Sequence, residues 1–152
     1  MYRCNYAYVE ADKVKQLTLT IPGVPIAKAR PKFARRGSFV NTYSPQKAEE
    51  HHFRLFLQSQ CAAEGFRPIS RSVSVLLTLF FYMPMPKAFS KKRRQEAWYH
   101  VKRPDLDNLT KFFLDCANGI LWHDDSQVAS LIAQKIYARE EPGTIAKVEW
   151  HE

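Results

Sequence analysis

Residues 71–83, RSVSVLLTLFFYM, decide the fold. Val73, Val75, Leu77, Leu79 and Phe81 alternate onto one face, while Leu76, Phe80 and Tyr82 leave the other only partly polar. A strand with one wet face alternates cleanly, so one that is apolar on both sides belongs in the middle of a sheet. Pro84 and Pro86 end it. Upstream, Leu17, Leu19 and Ile21 alternate with Thr18 and Thr20 until Pro22-Gly23, which predicts an opening strand. Downstream, Val128–Arg139 and Thr144–Trp150 are β-like, and the turn residues Glu140-Glu141-Pro142-Gly143 predict that they pair as a hairpin.

Two helices fall between the strands. Ser44 reads as an N-cap with Pro45 at the first helical position, where its missing N–H costs nothing. Phe53, Phe56, Leu57 and Cys61 then recur at helical spacing up to a stop at Gly65. The second helix runs from about Asp107 to Asn118, with Leu109, Phe113, Cys116 and Ala117 on its apolar face and Asn118-Gly119 closing it. The segment up to Tyr43 is extended and basic, with a short hairpin around Arg36-Gly37. Beyond Pro86, Ser90 is a helix-start signal, but a mobile loop is the expectation there. The order β-α-β-α-β-β predicts an α+β protein: a single mixed β-sheet with helices packed on one face. No linker or repeat divides residues 1–152, so one domain is expected.

Composition narrows the function. The chain is basic, at a formal net charge of +8, which favours a polyanionic partner. The excess is concentrated. Residues 87–103, KAFSKKRRQEAWYHVKR, hold seven Lys or Arg against one Glu, among them Lys91, Lys92, Arg93, Arg94, Lys102 and Arg103. Residues 28–36 add Lys28, Arg30, Lys32, Arg35 and Arg36 with no acid. Folded together, the two blocks make a nucleic-acid footprint; apart, each is a solvated charged face. Cys4, Cys61 and Cys116 have no C-x-x-C spacing, and the five histidines form no i,i+4 pair, so neither a disulfide framework nor a zinc site is indicated. His123 merits notice because it adjoins an acidic pair. The N-terminus lacks an apolar h-region, and no run approaches eighteen apolar residues, so a cytoplasmic protein without a membrane span is expected.

Against that charge, residues 102–128, KRPDLDNLTKFFLDCANGILWHDDSQV, gather carboxylates beside basic residues: Asp105, Asp107 and the Asp124-Asp125 pair. A hard divalent cation, Mg²⁺ or Mn²⁺, would account for them, since it prefers oxygen ligands. On a continuous helix Asp105 and Asp107 would diverge by about 200°. With Asp105 extended just outside the helix and Asp107 in its first turn, both can converge. The competing reading is a helix cap, a common role for Asp that contributes roughly 1 kcal/mol. Lys111, four residues past Asp107, is either a surface i,i+4 ion pair or an electrostatic clamp on a phosphoryl transition state. Asp115 is an alternative partner for it.

The string P-D-L-D-N-L-x-K, followed by L-D, N-G and D-D-S-Q-V, resembles the RusA-type Holliday junction resolvases of bacteria and their phages. P-G-V-P-I-A-K-A-R-P-K-F and T-Y-S-P ahead of a helix agree more loosely. The strong resemblance covers about 102–128 and the weaker one 16–48. It implies a homodimer that nicks two symmetry-related strands of a four-way DNA junction with Mg²⁺ or Mn²⁺, leaving 5′-phosphates, in recombination and repair. By position it implies that Asp105, Asp107 and Asp125 are the essential acidic metal ligands, with Asp124 a second choice, and that Lys111 is the essential lysine. The chain departs from some relatives in Pro104, where a basic residue can precede the first Asp, and in its longer basic segment at 87–103. Two other readings stay open: a nuclease for flaps, Y-forks or other branched DNA, and a non-catalytic DNA-binding module whose carboxylates cap a helix.

Overall fold

A computed structural model describes residues 14–30 and 45–151, together with the backbone of 32–36 and 39–43. Strand β1 (Val14–Pro22) is followed by a two-stranded ribbon, β2 (Lys32–Arg36) with β3 (Phe39–Tyr43), and by helix α1 (Lys47–Ala63). Strand β4 (Val75–Met83), a short helix α2 (Lys91–Glu96) and helix α3 (Leu106–Ala117) come next. A 3₁₀ turn (Asp125–Gln127) leads into β5 (Val128–Tyr137), and β6 (Gly143–His151) follows.

The main sheet is mixed, in the order β1-β6-β4-β5. Its construction follows from β4. Val75, Leu77, Leu79, Phe81 and Met83 are all buried, and on the opposite face Thr78, Phe80 and Tyr82 are half-buried. Such a strand takes a neighbour on each side: β5 runs parallel to it and β6 antiparallel. The expected β5–β6 hairpin is therefore not formed. The turn after β5 instead carries the chain across the end of β4, and β6 pairs between β4 and β1. Turn residues signal a reversal of direction, which does occur; the apolar demand of β4 decides which strands become neighbours.

One face of the sheet carries the core. Leu17, Leu19 and Ile21 of β1, the odd-numbered residues of β4, and Ala146, Val148 and Trp150 of β6 pack on Leu57 and Cys61 of α1 and on Leu109, Phe113 and Ala117 of α3. Helix α2 buries nothing. The α+β sheet with helices on one face is thus as the patterning predicts. The ribbon matches the hairpin expected around Arg36-Gly37, although Gly37 itself lies outside the described residues.

Two local expectations are corrected. Helix α1 begins at Lys47 with Gln46 at its N-cap, so Pro45 stands before the helix rather than at its first position; Ser44 lies outside the described residues. Gln46 is occupied elsewhere, accepting from the Ala29 amide at 2.5 Å and donating to the Ala27 carbonyl at 2.8 Å, which fixes the segment before the ribbon. The stretch beyond Ser90 is α2 rather than a loop, with the Ser90 hydroxyl accepting from the Arg93 amide at 3.3 Å. No helix among the described residues is long and apolar enough to cross a membrane.

Candidate active site

Helix α3 starts where the acidic residues require. Asp105 is its N-cap in extended backbone (φ −73°, ψ 147°) and Asp107 lies in its first turn. The Asp105 carboxylate makes no capping hydrogen bond. The helix-cap reading therefore fails for this side chain, despite its position. At the far end of α3 the Asn118-Gly119 turn is built from specific contacts. Gly119 adopts φ +76°, a conformation other residues avoid. Arg54 of α1 donates to the carbonyls of Cys116 and Asn118 at 2.8 and 3.0 Å, and the Trp122 indole donates to Asn118 Oδ1 at 2.8 Å. The turn redirects the chain so that Asp125 returns toward α3.

Asp124 and Asp125 then take different roles. Asp124 caps the 3₁₀ turn, its carboxylate accepting from the Ser126 amide at 3.0 Å, and Ser126 holds its pKa below the ordinary value. Gln127 completes the box: its Oε1 accepts from the amides of His123 and Asp124, while its Nε2 donates to the carbonyls of Ser70 and Val73. This single side chain ties the acidic loop to the start of β4. Asp125 is left exposed and uncommitted.

A cleft of about 670 Å³ lies between α3 and β5. Leu106, Leu114, Leu131 and Ala133 contribute its apolar lining, and Asp107, Lys111, Asp115 and Asp125 its charge. Asp105 lines a neighbouring depression with Arg30, Arg103 and Asn108. Among the described residues no hydrogen bond or ion pair engages the carboxylates of Asp105, Asp107 or Asp125, and Lys111 pairs with neither Asp107 nor Asp115. Asp115 instead meets Lys28 at 2.7 Å, and Lys28 also donates to Glu50 at 3.0 Å. Partial burial works against the charged form of Lys28, but the two carboxylates outweigh it and raise its pKa. The Lys28 amide donates to the Asn108 carbonyl at 2.9 Å, laying this segment along the start of α3.

The donors fit a hard cation in kind, being oxygen ligands free of other partners beside a basic rim. Among the described residues, no three such side chains are gathered at metal-ligand spacing. Burial favours the thiol form of both described cysteines: it raises the Cys61 pKa and pushes that of Cys116 up to about 11. His123 is exposed at the mouth of the acidic loop.

The basic residues divide. Arg30, Lys102, Arg103 and the four cations of α2 are exposed. Two of them also have structural duties: Arg94 donates to the carbonyls of Phe89, Pro86 and Lys87, and Arg93 lies 4.2 Å over the Phe89 ring. Lys32, Arg35 and Arg36 fall in β2, whose side chains lie outside the described residues. Sequence reasoning passes over Arg54 and Lys135, and touches Gln127 only as part of the D-D-S-Q-V string; all three position the site without entering it.

Residues 22–149 match the family model described as endodeoxyribonuclease RusA. The chain belongs to the RusA endodeoxyribonuclease family. It is also 33% identical over 135 residues to YqaN, an uncharacterised protein of Bacillus subtilis (strain 168), an alignment covering 82% of this chain and 89% of the relative. Membership implies an endodeoxyribonuclease, of a family that acts on branched DNA junctions and is generally dependent on divalent metal.

Proposed function

We propose that this RusA-family chain is a Mg²⁺- or Mn²⁺-dependent endodeoxyribonuclease that resolves four-way DNA junctions by paired nicking, as a homodimer, in recombination and repair. The observation that carries the reading is the set of side chains left without partners. Asp107, Asp125 and Lys111 line one cleft and Asp105 lines the depression beside it, and none is consumed by capping or ion pairing.

In this reading Asp107 and Asp125 would hold the cation, Asp105 of the neighbouring depression would be a further oxygen donor, and Asp124 remains the cap of its turn. A bound cation supplies a lowered pKa for water and neutralises charge on the scissile phosphate. The Lys111 ammonium stabilises the negative charge that develops on the phosphoryl oxygens. Arg30 and Arg103, beside Asp105, hold the phosphodiester on either side of the cut, and Lys91, Lys92 and Lys102 extend the track. In-line attack by water on phosphorus breaks the bond to the 3′ oxygen, leaving a 5′-phosphate and a 3′-hydroxyl.

The test is cleavage of a synthetic four-way junction beside a matched duplex and a Y-fork, in Mg²⁺, in Mn²⁺ and with chelator. Symmetric cuts in the junction that require the cation support the proposal. Equal cutting of the fork moves the substrate to branched DNA at large. Binding with no scission under any metal returns the chain to a non-catalytic module.

A further inference from the structure

Three large apolar side chains stand in water within four residues of one another: Trp98 (59% exposed), Tyr99 (60%) and Val101 (86%). Exposed aromatics in a cluster mark an interaction surface. The backbone that bears them is anchored. Tyr137 donates its amide to the Trp98 carbonyl, and His100 donates its amide to the Lys135 carbonyl, each at 2.9 Å, with Tyr99 bridged antiparallel to Ile136. The segment is held by a single antiparallel bridge against the outer edge of β5. The His100 ring packs on Tyr137 with centroids 4.9 Å apart. Lys135 reaches back to donate to the carbonyls of Lys102 and Pro104, at 2.5 and 2.6 Å, immediately before Asp105. The aromatics are thus presented on a fixed edge that leads directly into the candidate site.

Their setting identifies the occupant. Helix α2, with four cations, precedes them and Lys102-Arg103 follows. The Arg139 guanidinium lies 5.9 Å from the Trp98 ring centroid and donates to the carbonyls of Gln95 and Ala97. A second copy of a chain with net charge +8 brings like charge to such a patch, whereas a polyanion is drawn to it. Aromatic faces flanked by cations are the combination that binds unpaired nucleobases, since every base has a π-face and its phosphate meets the cations. Phosphate contacts alone do not separate a branch point from a plain duplex. Stacking does, because a duplex keeps its base faces covered.

We infer that Trp98 and Tyr99 are stacking sites, one on each face of this edge segment, for the unpaired or unstacked bases of a DNA branch point. The inference rests on the DNA reading above and adds the feature of branched DNA that is recognised. The full chain is titrated, in chelator, with a blunt duplex, with a Y-fork carrying unpaired arms on that duplex, and with single-stranded oligo-dT. Trp122 and Trp150 are buried, so a change in tryptophan emission reports Trp98. The fork and oligo-dT quench it and the blunt duplex does not. Trp98→Leu and Tyr99→Leu, each keeping apolar bulk without an aromatic face, lower fork affinity by about tenfold while duplex affinity stays within about threefold. Trp98→Phe retains the preference. Thermal melts qualify each variant, and two positions are probed so that a folding failure at one leaves the other decisive.

Leu variants that keep the preference, or that lose fork and duplex binding equally, overturn the inference. So does a Leu variant that turns a wild-type dimer into a monomer by light scattering, since the patch then belongs to a second copy. Wild-type protein that binds fork and duplex alike without quenching removes the stacking sites and leaves the nuclease reading standing. Failure to bind any of the three DNAs sinks both.

Discussion

Asp105 and Asp124 occupy the same position, the residue ahead of a helical turn, and use it in opposite ways. Asp124 spends its carboxylate on the Ser126 amide, whereas Asp105 leaves its own free. A free carboxylate at a helix N-terminus is favoured by the dipole and available to a cation. Asp105→Asn, Asp107→Asn and Asp125→Asn are therefore each expected to abolish junction cleavage while leaving binding within a few-fold. Asp124→Asn should lose less rate, because that carboxylate already caps its own turn, a role an Asn side chain also fills. Cleavage at wild-type rate by all three of the first set would remove the site assignment. Lys111 separates the readings in the same way. A transition-state contact contributes a few kcal/mol, so Lys111→Ala should slow single-turnover cleavage by roughly 10²–10³. A surface ion pair would contribute almost nothing, and the structure pairs Lys111 with no carboxylate among the described residues. A loss of less than about threefold, in a variant that melts normally, would return Lys111 to the surface. The residue types and spacing around Asp107 were legible in the sequence because carboxylate and lysine chemistry is local. What they lacked was the partner of Asp115, because Lys28 is distant in sequence and meets it only through the fold.

At the scale of elements, alternation and punctuation located the strands, and the apolar faces of α1 and α3 located the core. The neighbours of β5 and β6 were not legible, because pairing depends on which strand is the most apolar on both its faces. Here that is β4, which separates two strands joined by a five-residue turn. The same limit applied to α2. Its sequence, KKRRQE, is a run of charge with no apolar stripe, so periodicity has nothing to read. The helix is held instead by the Ser90 cap and by Arg139, which donates to the carbonyls at its C-terminal end. This fixing changes what its charges can do. Arg93 and Arg94 are turned back onto the Phe89 turn, while Lys91 has no such contact and Lys92 only a long, exposed approach to Glu96 at 3.9 Å. Replacing Lys91 and Lys92 together by Gln should flatten the slope of log K against log salt by up to about 2, at roughly 0.9 per phosphate contact. The metal requirement should not change, because neither lysine lines the acidic cleft. An unaltered slope in a salt series would assign the phosphate track to Arg30, Lys102 and Arg103 instead.

The cleft between α3 and β5 gives each chain one candidate site, and a four-way junction has two equivalent strands to cut. Paired nicking by a single chain would need it to release, turn and rebind between cuts, and a junction nicked once can lose its constraint in the interval. Two clefts fixed by a two-fold axis remove that interval, and cyclic pairs are the commonest symmetric assembly. Light scattering at micromolar concentration is thus expected to give twice the 17.7 kDa mass of the chain. Subunit mixing tests whether the pair is also the catalytic unit. With wild-type and Asp107→Asn chains in equal amounts and allowed to exchange, roughly half the dimers hold one competent site. On a plasmid bearing an extruded cruciform, wild-type dimers should linearise the DNA by two opposed cuts. Mixed dimers should accumulate nicked circles, in proportion to their share. If the inactive chain merely dilutes the active one, with the ratio of linear to nicked product unchanged, the two cuts are made by independent monomers. The cleft between α3 and β5 would then be a complete nuclease on its own, and the symmetry would reside in the DNA alone.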